Sequence, residues 1–86
     1  MEEFYRLIEE KIERSGYPEK INGREFYDDV CEQADEQELG MFLCLIKKSD
    51  TVTYEVRLEN LKNQIDLKTL LIRDGEQTYF VDFDAE

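Results

Sequence analysis

Residues 51–59 read TVTYEVRLE, and this stretch decides the fold. Its apolar residues, Val52, Tyr54, Val56 and Leu58, alternate with polar or charged ones. Successive side chains of a β-strand point to opposite faces, so strict alternation indicates one buried and one solvated face. The stretch therefore predicts a half-buried strand, and the other elements are assigned outward from it.

Three further strands are predicted around this one. Residues 41–46, MFLCLI, are apolar at every position, which is typical of a central strand buried on both faces. Residues 47–50 form a plausible turn between these two strands. Downstream, residues 67–73 suit a third strand, and the Asp74-Gly75 pair predicts a hairpin leading into a fourth strand at 77–84.

Two details of this strand region have consequences for the fold. On the fourth strand, Tyr79, Val81 and Phe83 should face the core, leaving Phe80 on the outer face at a possible sheet edge. The spacing of the apolar residues within 58–71 also suits a helix, which remains an alternative for that segment.

Two helices are predicted before the strands. An apolar stripe at spacings of three and four runs through residues 2–15, and Gly16 and Pro18 then stop the helix. A second helix is predicted over 23–37, with Asn22 as its N-cap and Glu25 three residues later, as in a capping box. The sequence therefore predicts one α+β domain spanning 1–86, with two N-terminal helices packed on one face of a four-stranded antiparallel sheet (ααββββ).

The charge balance restricts the class of partner. The chain of 86 residues has 22 Asp and Glu against 11 Lys and Arg, a formal net charge of −11. Such a protein repels nucleic acids and anionic membranes and attracts basic surfaces. We expect no direct nucleic-acid binding and no membrane association. The acidic N-terminus lacks the features of a signal peptide, which favours a cytoplasmic protein.

Few residues suggest chemistry. The chain contains no histidine, so an imidazole can serve neither as a catalytic base nor as a metal ligand. Cys31 and Cys44 occupy apolar contexts and are interpreted as inert core thiols, with a disulfide as the alternative. A secondary acidic patch at Asp82, Asp84 and Glu86 would share one strand face and could hold a hard cation, but its spacing matches no calcium loop. We therefore expect no enzyme activity, no metal and no cofactor.

The acidic residues concentrate on the second helix and the turn after it. Seven acids lie within fourteen residues: Glu25, Asp28, Asp29, Glu32, Asp35, Glu36 and Glu38. At 1.5 Å of rise per residue, a helix of this composition carries about one negative charge per 3 Å. A single strand of duplex DNA carries one per roughly 3.4 Å. Several of these acids are like-charged pairs at the i, i+4 spacing, each costing the helix about 0.2–0.5 kcal/mol.

Three hypotheses follow. The first is a small, non-catalytic interaction protein whose acidic face binds a basic surface of a partner, such as a nucleic-acid-binding protein. It would act as a nucleic-acid-mimicking inhibitor or as an immunity-type protein. The second is a homodimer with no charged partner, formed by edge pairing of the fourth strand, on which Phe80 would be exposed. The third is an enzyme or a metal site at the C-terminal carboxylates. The alternative to the first hypothesis is that the acidic face only keeps the protein soluble.

Overall fold

The computed structural model describes residues 2–34, 38–62 and 64–84. Two helices precede four strands, which form one antiparallel sheet in the spatial order β1-β2-β3-β4. The elements are α1 (Glu2–Arg14), α2 (Gly23–Ala34), β1 (Gly40–Lys47), β2 (Val52–Leu61), β3 (Gln64–Asp74) and β4 (Gln77–Asp82). The predicted ααββββ meander is confirmed. Neither helix is long and apolar enough to cross a membrane, as far as the described residues go.

Local signals explain where the helices begin and end. The Asn22 side-chain oxygen accepts a hydrogen bond from the backbone N–H of Glu25, 3.0 Å away, so the predicted N-cap of α2 is confirmed. At the end of α1, Gly16 adopts a φ of 93°, a left-handed conformation that glycine reaches without steric cost. The chain then reverses, and α2 returns beside α1.

Both helices pack on the same face of the sheet. α1 contacts β4 and α2 contacts β1, so the two helices together span the width of the sheet. One continuous apolar cluster results. Its buried members are Ile8, Ile12, Tyr17, Phe26, Val30, Ala34, Cys44, Ile46, Tyr54, Val56, Leu58, Leu67, Leu70, Ile72 and Val81. The four apolar residues of 51–59 belong to this cluster or pack against it, as the sequence predicts.

The prediction that residues 41–46 form a central strand is wrong. β1 lies at one edge of the sheet, and only its Cys44 and Ile46 are buried. Met41, Leu43 and Leu45 point to the opposite face, where no described element covers them. Apolar residues on both faces suggested a strand enclosed on both sides, but the two helices cover only one face.

Every described residue of 58–71 except Lys62, which lies in a turn, belongs to a strand, so the helical alternative is wrong. β2 continues to Leu61 and β3 already begins at Gln64. The periodicity is disturbed because the register shifts between Arg57 and Leu58, which face Thr69 and Leu67. Lys68 is the extra residue of this β-bulge, and it interrupts the alternation from which a strand is recognised.

The hairpin between β3 and β4 is confirmed, although its centre lies one residue later than the Asp-Gly pair suggested. Asp74 pairs with Gln77, so the two-residue loop is Gly75 and Glu76. Gly75 has a φ of 61°. Glycine in the first central position is the signature of a type II′ turn.

Beyond this hairpin, the faces of β4 follow the prediction. Val81 is buried, Tyr79 and Phe83 pack against the core, and Phe80 is 60% exposed on the outer face. β4 is the second edge of the sheet. The strand ends at Asp82, however, so Phe83 and Asp84 lie in a turn rather than in the strand predicted for 77–84.

Two tyrosines, the buried Tyr54 and the half-buried Tyr27, should make the protein less stable at high pH. Burial, reinforced by Tyr17 and Asp29, raises the pKa of Tyr54 from 10.0 to about 12. Burial likewise raises the pKa of Tyr27 to about 12. Because both tyrosines ionise first in the unfolded chain, their contribution is intact below pH 10 and is lost as the pH rises towards about 12. Urea unfolding across this range should show the fall, and Tyr54→Phe should reduce it. An undiminished fall in Tyr54→Phe would contradict the assignment.

Candidate functional site

Four acids of α2 form one stripe along its outer side. Glu25, Asp28, Asp29 and Glu32 occupy positions i, i+3, i+4 and i+7, which lie on one side of a helix with 3.6 residues per turn. The buried residues Phe26, Val30 and Ala34 lie on the opposite side. We call these four residues the acidic stripe. The packing of α2 on the sheet therefore points the stripe away from the core.

The members of the acidic stripe differ in their surroundings. Glu25, Asp28 and Glu32 are exposed, whereas Asp29 is half-buried on the side of α2 nearest β1. There, Lys48 places its Nζ 3.4 Å from Asp29 Oδ2. In the described parts of the chain, Glu25, Asp28 and Glu32 form no ion pair. Three adjacent carboxylates are thus left to solvent.

The remaining members of the predicted acidic face lie beyond the helix. Glu38 is exposed in the segment between α2 and β1. Asp35 and Glu36 lie outside the described residues. The described helix still carries four acids between residues 25 and 32, which corresponds to about one charge per 3 Å of its axis.

Contacts at both ends of α2 hold the acidic stripe in place. At the start, the N–H of Gly23 donates to Glu9 Oε2 of α1 at 2.8 Å. At the end, Asn60 of β2 donates from Nδ2 to the carbonyl oxygen of Ala34 at 3.2 Å. Each bond satisfies a backbone group that a helix terminus leaves unpaired. The stripe is therefore displayed from a helix anchored to α1 and to the sheet.

A third anchor joins α2 to β1. Gln33 donates from Nε2 to the Leu45 carbonyl oxygen at 3.1 Å and accepts from Cys44 Sγ at 3.0 Å. Burial raises the pKa of Cys44, which keeps its thiol protonated and inert. Cys31 is only half-buried, so its prediction as a buried core thiol is wrong in extent. The two cysteines form no disulfide bond with each other.

Sequence reasoning did not identify Lys48, Gln33 or Asn60 as part of this region. Each is distant in sequence from the α2 residue or β1 carbonyl it contacts, and no local pattern encodes such a pairing. Only the polarity of Asn60, directly after the alternating residues 51–59, hints at a contact. Its partner, the Ala34 carbonyl oxygen, depends on how α2 packs on the sheet.

The secondary acidic patch is not the row of three carboxylates that the sequence suggested. Asp82 ends β4, and Asp84 lies in the following turn, where its N–H donates to Asp82 Oδ1 at 2.9 Å. Lys68 Nζ lies 3.9 Å from Asp84 Oδ2 and 2.7 Å from Asp66 Oδ2. Glu86 lies outside the described residues. A nearby lysine thus partly neutralises this patch, in contrast to the outer part of the acidic stripe.

No cluster of three or more potential metal ligands occurs within residues 2–34, 38–62 and 64–84. No protein-family model, curated protein or solved structure matches this chain. Charge, exposure and contacts are therefore the basis on which a function is inferred.

Glu32 provides a direct measure of what the acidic stripe costs the fold. It lies in the last turn of α2, which contains no base, and follows Asp28 and Asp29 at helical spacing. Glu32→Lys replaces repulsion by attraction and places a cation near the negative end of the helix dipole. We expect the free energy of unfolding to rise by about 0.5–1.5 kcal/mol.

Urea denaturation would measure this gain, with Glu3→Lys as the matched control. Glu3 is exposed in the first turn of α1, where a base is unfavourable, yet the substitution changes the net charge equally. An equal gain in both variants would mean that net charge alone, rather than the stripe, limits stability.

Proposed function

We propose that this protein is a non-catalytic interaction protein whose acidic stripe binds a basic surface of another protein. The observation that carries the proposal is the set of carboxylates at Glu25, Asp28 and Glu32, which form no ion pair with any described residue and are held outward by an anchored helix. A solvent-exposed row of like charges is complementary to a basic groove, and such complementarity gives specificity and rapid association.

A groove that normally binds nucleic acid is the favoured partner. With Asp29 included, the stripe spaces its four carboxylates at about 3 Å along the helix axis, close to the roughly 3.4 Å of a single DNA strand. Without Asp29, which Lys48 partly neutralises, the spacing is about 5 Å. A basic nucleic-acid-binding protein could therefore contact the stripe with the side chains that it uses for phosphates. In that case the protein acts as a nucleic-acid mimic, of inhibitor or immunity type.

The rigidity of the helix strengthens this proposal over simple solvation. Solubility requires net charge but no fixed arrangement of it. Here the charged helix is fixed by Glu9 at its start, Asn60 at its end and Gln33 beside β1. A preorganised surface loses less conformational entropy on binding than a mobile one.

The experiment is a capture assay with immobilised protein in a lysate of the source organism at low ionic strength. We expect basic nucleic-acid-binding proteins to be retained and to be released by added duplex DNA. Retention should also weaken as salt is raised, because exposed charges are screened. Captured proteins without basic surfaces would refute the proposal, and failure of duplex DNA to compete would refute the mimicry.

A further inference from the structure

The outer side of β1 carries backbone groups that pair with no other strand in the described parts of the chain. Lys48 donates its N–H to the Val52 carbonyl oxygen. By the alternation of an antiparallel ladder, the even-numbered residues of β1 therefore direct their backbone N–H and C=O groups towards β2. The odd-numbered residues must then point their N–H and C=O groups outward. The Leu45 carbonyl fits this parity, because it is reached by Gln33 of α2.

The same odd-numbered residues also expose apolar side chains. Met41 is 62%, Leu43 44% and Leu45 56% exposed, and Leu39, just before the strand, is 67% exposed. Their side chains form a row on the open face of the sheet, along its edge. An uncovered edge strand with an apolar face is a template for pairing with another strand.

The two edges of the sheet differ in the features that prevent such pairing. The β1 ladder with β2 is regular over eight residues, and Lys47 is its only charged residue. β4 has six residues, ends in Asp82 and follows Glu76. Short strands and repeated charge protect an edge from association. Each strand contains one charged residue, so the edges differ in length, eight residues against six, and in their open face, which is apolar at Met41, Leu43 and Leu45 of β1 but mixed at Thr78, Phe80 and Asp82 of β4.

We propose that β1 is a dimerisation edge, and that it pairs antiparallel with β1 of a second copy of this chain. With Leu43 on the two-fold axis, Leu43 faces Leu43 of the second copy and Met41 faces Leu45 of the second copy. All these residues have outward backbone groups, so the ladder hydrogen bonds are satisfied in this register. The two sheets become one sheet of eight strands.

Charge complementarity identifies the partner as a second copy. In the same register, exposed Glu38, two residues before β1, falls opposite Lys48 of the second copy, just after β1, and the two-fold axis repeats this pair at the other end of the interface. Lys48 Nζ lies 3.4 Å from Asp29 Oδ2 of its own chain, so in the dimer this lysine would be shared between two carboxylates. Elsewhere a chain of net charge −11 repels itself. Between Glu38 and Lys48, however, there are one acid and two bases, so this edge is where a second copy can approach.

Gln33 has a defined role in this assembly. In the monomer its Nε2 satisfies the outward carbonyl of Leu45, which in the dimer accepts the N–H of Met41 from the second copy. The Gln33 amide therefore competes with dimerisation. Its removal should tighten the dimer, which is the opposite of what most interface truncations do.

The test is sedimentation equilibrium at physiological ionic strength, where net repulsion beyond about 8 Å is screened. We expect a monomer–dimer equilibrium that Leu43→Lys weakens by at least about tenfold, because it places two like charges on the two-fold axis. The matched control is Phe80→Lys, which alters an exposed apolar residue on the same face of the sheet but on β4, and should leave the equilibrium unchanged. Circular dichroism checks that both variants remain folded.

Two further variants test the register. Gln33→Ala should tighten the dimer by about tenfold, since two carbonyls per dimer lose a competing hydrogen bond of modest net strength. Glu38→Lys should weaken it by about threefold to tenfold, and adding Lys48→Glu should restore it. A strict monomer at millimolar concentration would overturn the proposal. So would a dimer that Phe80→Lys disrupts and Leu43→Lys does not, because it would place the interface at β4.

Discussion

Gly23→Ala should lower the free energy of unfolding by about 2–3 kcal/mol, although alanine normally stabilises a helix relative to glycine. A Cβ on Gly23 would lie 2.2 Å from the backbone oxygen of Tyr5 and 2.9 Å from its carbonyl carbon. Both atoms belong to the main chain of α1, so no rotamer change relieves the overlap. The helices must separate, which also weakens the bond from Gly23 N–H to Glu9.

Arg24→Ala is the matched control for this substitution. Arg24 is the next residue of the same helical turn but is exposed, so its truncation should change stability by no more than about 0.5 kcal/mol. Urea denaturation of both variants measures the difference. If Gly23→Ala proves as stable as Arg24→Ala, the close crossing of α1 and α2 described above is wrong.

Leu70→Ala should have the largest effect of any single truncation discussed, a loss of about 2–5 kcal/mol. Leu70 is fully buried in β3 and lies between Val56 of β2 and Val81 of β4. Its removal leaves a cavity beneath the helices that the surrounding strands cannot fill. A small domain has only about 5–15 kcal/mol of stability in total, so a substantial unfolded fraction is expected.

Leu45→Ala makes the same chemical change on the open face of the sheet. Because Leu45 is 56% exposed, its truncation should cost the monomer at most about 0.5 kcal/mol. Thermal unfolding at low protein concentration compares the two variants without interference from self-association. Equal losses would mean that the sheet is covered on both faces.

The sequence predicted the class and order of elements because their signals are local. Alternation in β2, the Asn22 cap and the turn glycines each act within a few residues. The edge position of β1 could not be predicted in this way, because an apolar strand has the same sequence pattern whether it is enclosed or lies beside an uncovered face. Lys68 hid the start of β3 for a related reason: a bulge breaks periodicity without breaking the strand.

The candidate site was predictable in part. The spacing of Glu25, Asp28 and Glu32 places them on one side of any helix, and the apolar residues of α2 determine that this side faces outward. The neutralised member, Asp29, could not be recognised. Its partner Lys48 is 19 residues away and depends on how α2 lies against the end of β1. The same limit applies to Gln33, whose role depends on which carbonyls of β1 point outward.

Binding through the acidic stripe and dimerisation through the β1 edge should depend on salt concentration in opposite ways. Binding of the stripe to a basic surface weakens as salt screens exposed charges, whereas two copies of net charge −11 associate more readily once their repulsion is screened. Measurements at low and physiological ionic strength therefore separate the two properties. Leu43→Lys alters the β1 edge without touching the acidic stripe, whereas Gln33→Ala and Lys48→Glu affect both surfaces, because Gln33 anchors α2 and Lys48 contacts Asp29.

The most direct test of the central claim compares partner capture by two variants that each lose three negative charges. The stripe variant combines Glu25→Gln, Asp28→Asn and Glu32→Gln, and the control variant combines Glu3→Gln, Glu10→Gln and Glu13→Gln on exposed positions of α1. We predict that the stripe variant loses capture of basic partners while the control variant retains it. Equal capture by the two variants would contradict a binding role for the acidic stripe.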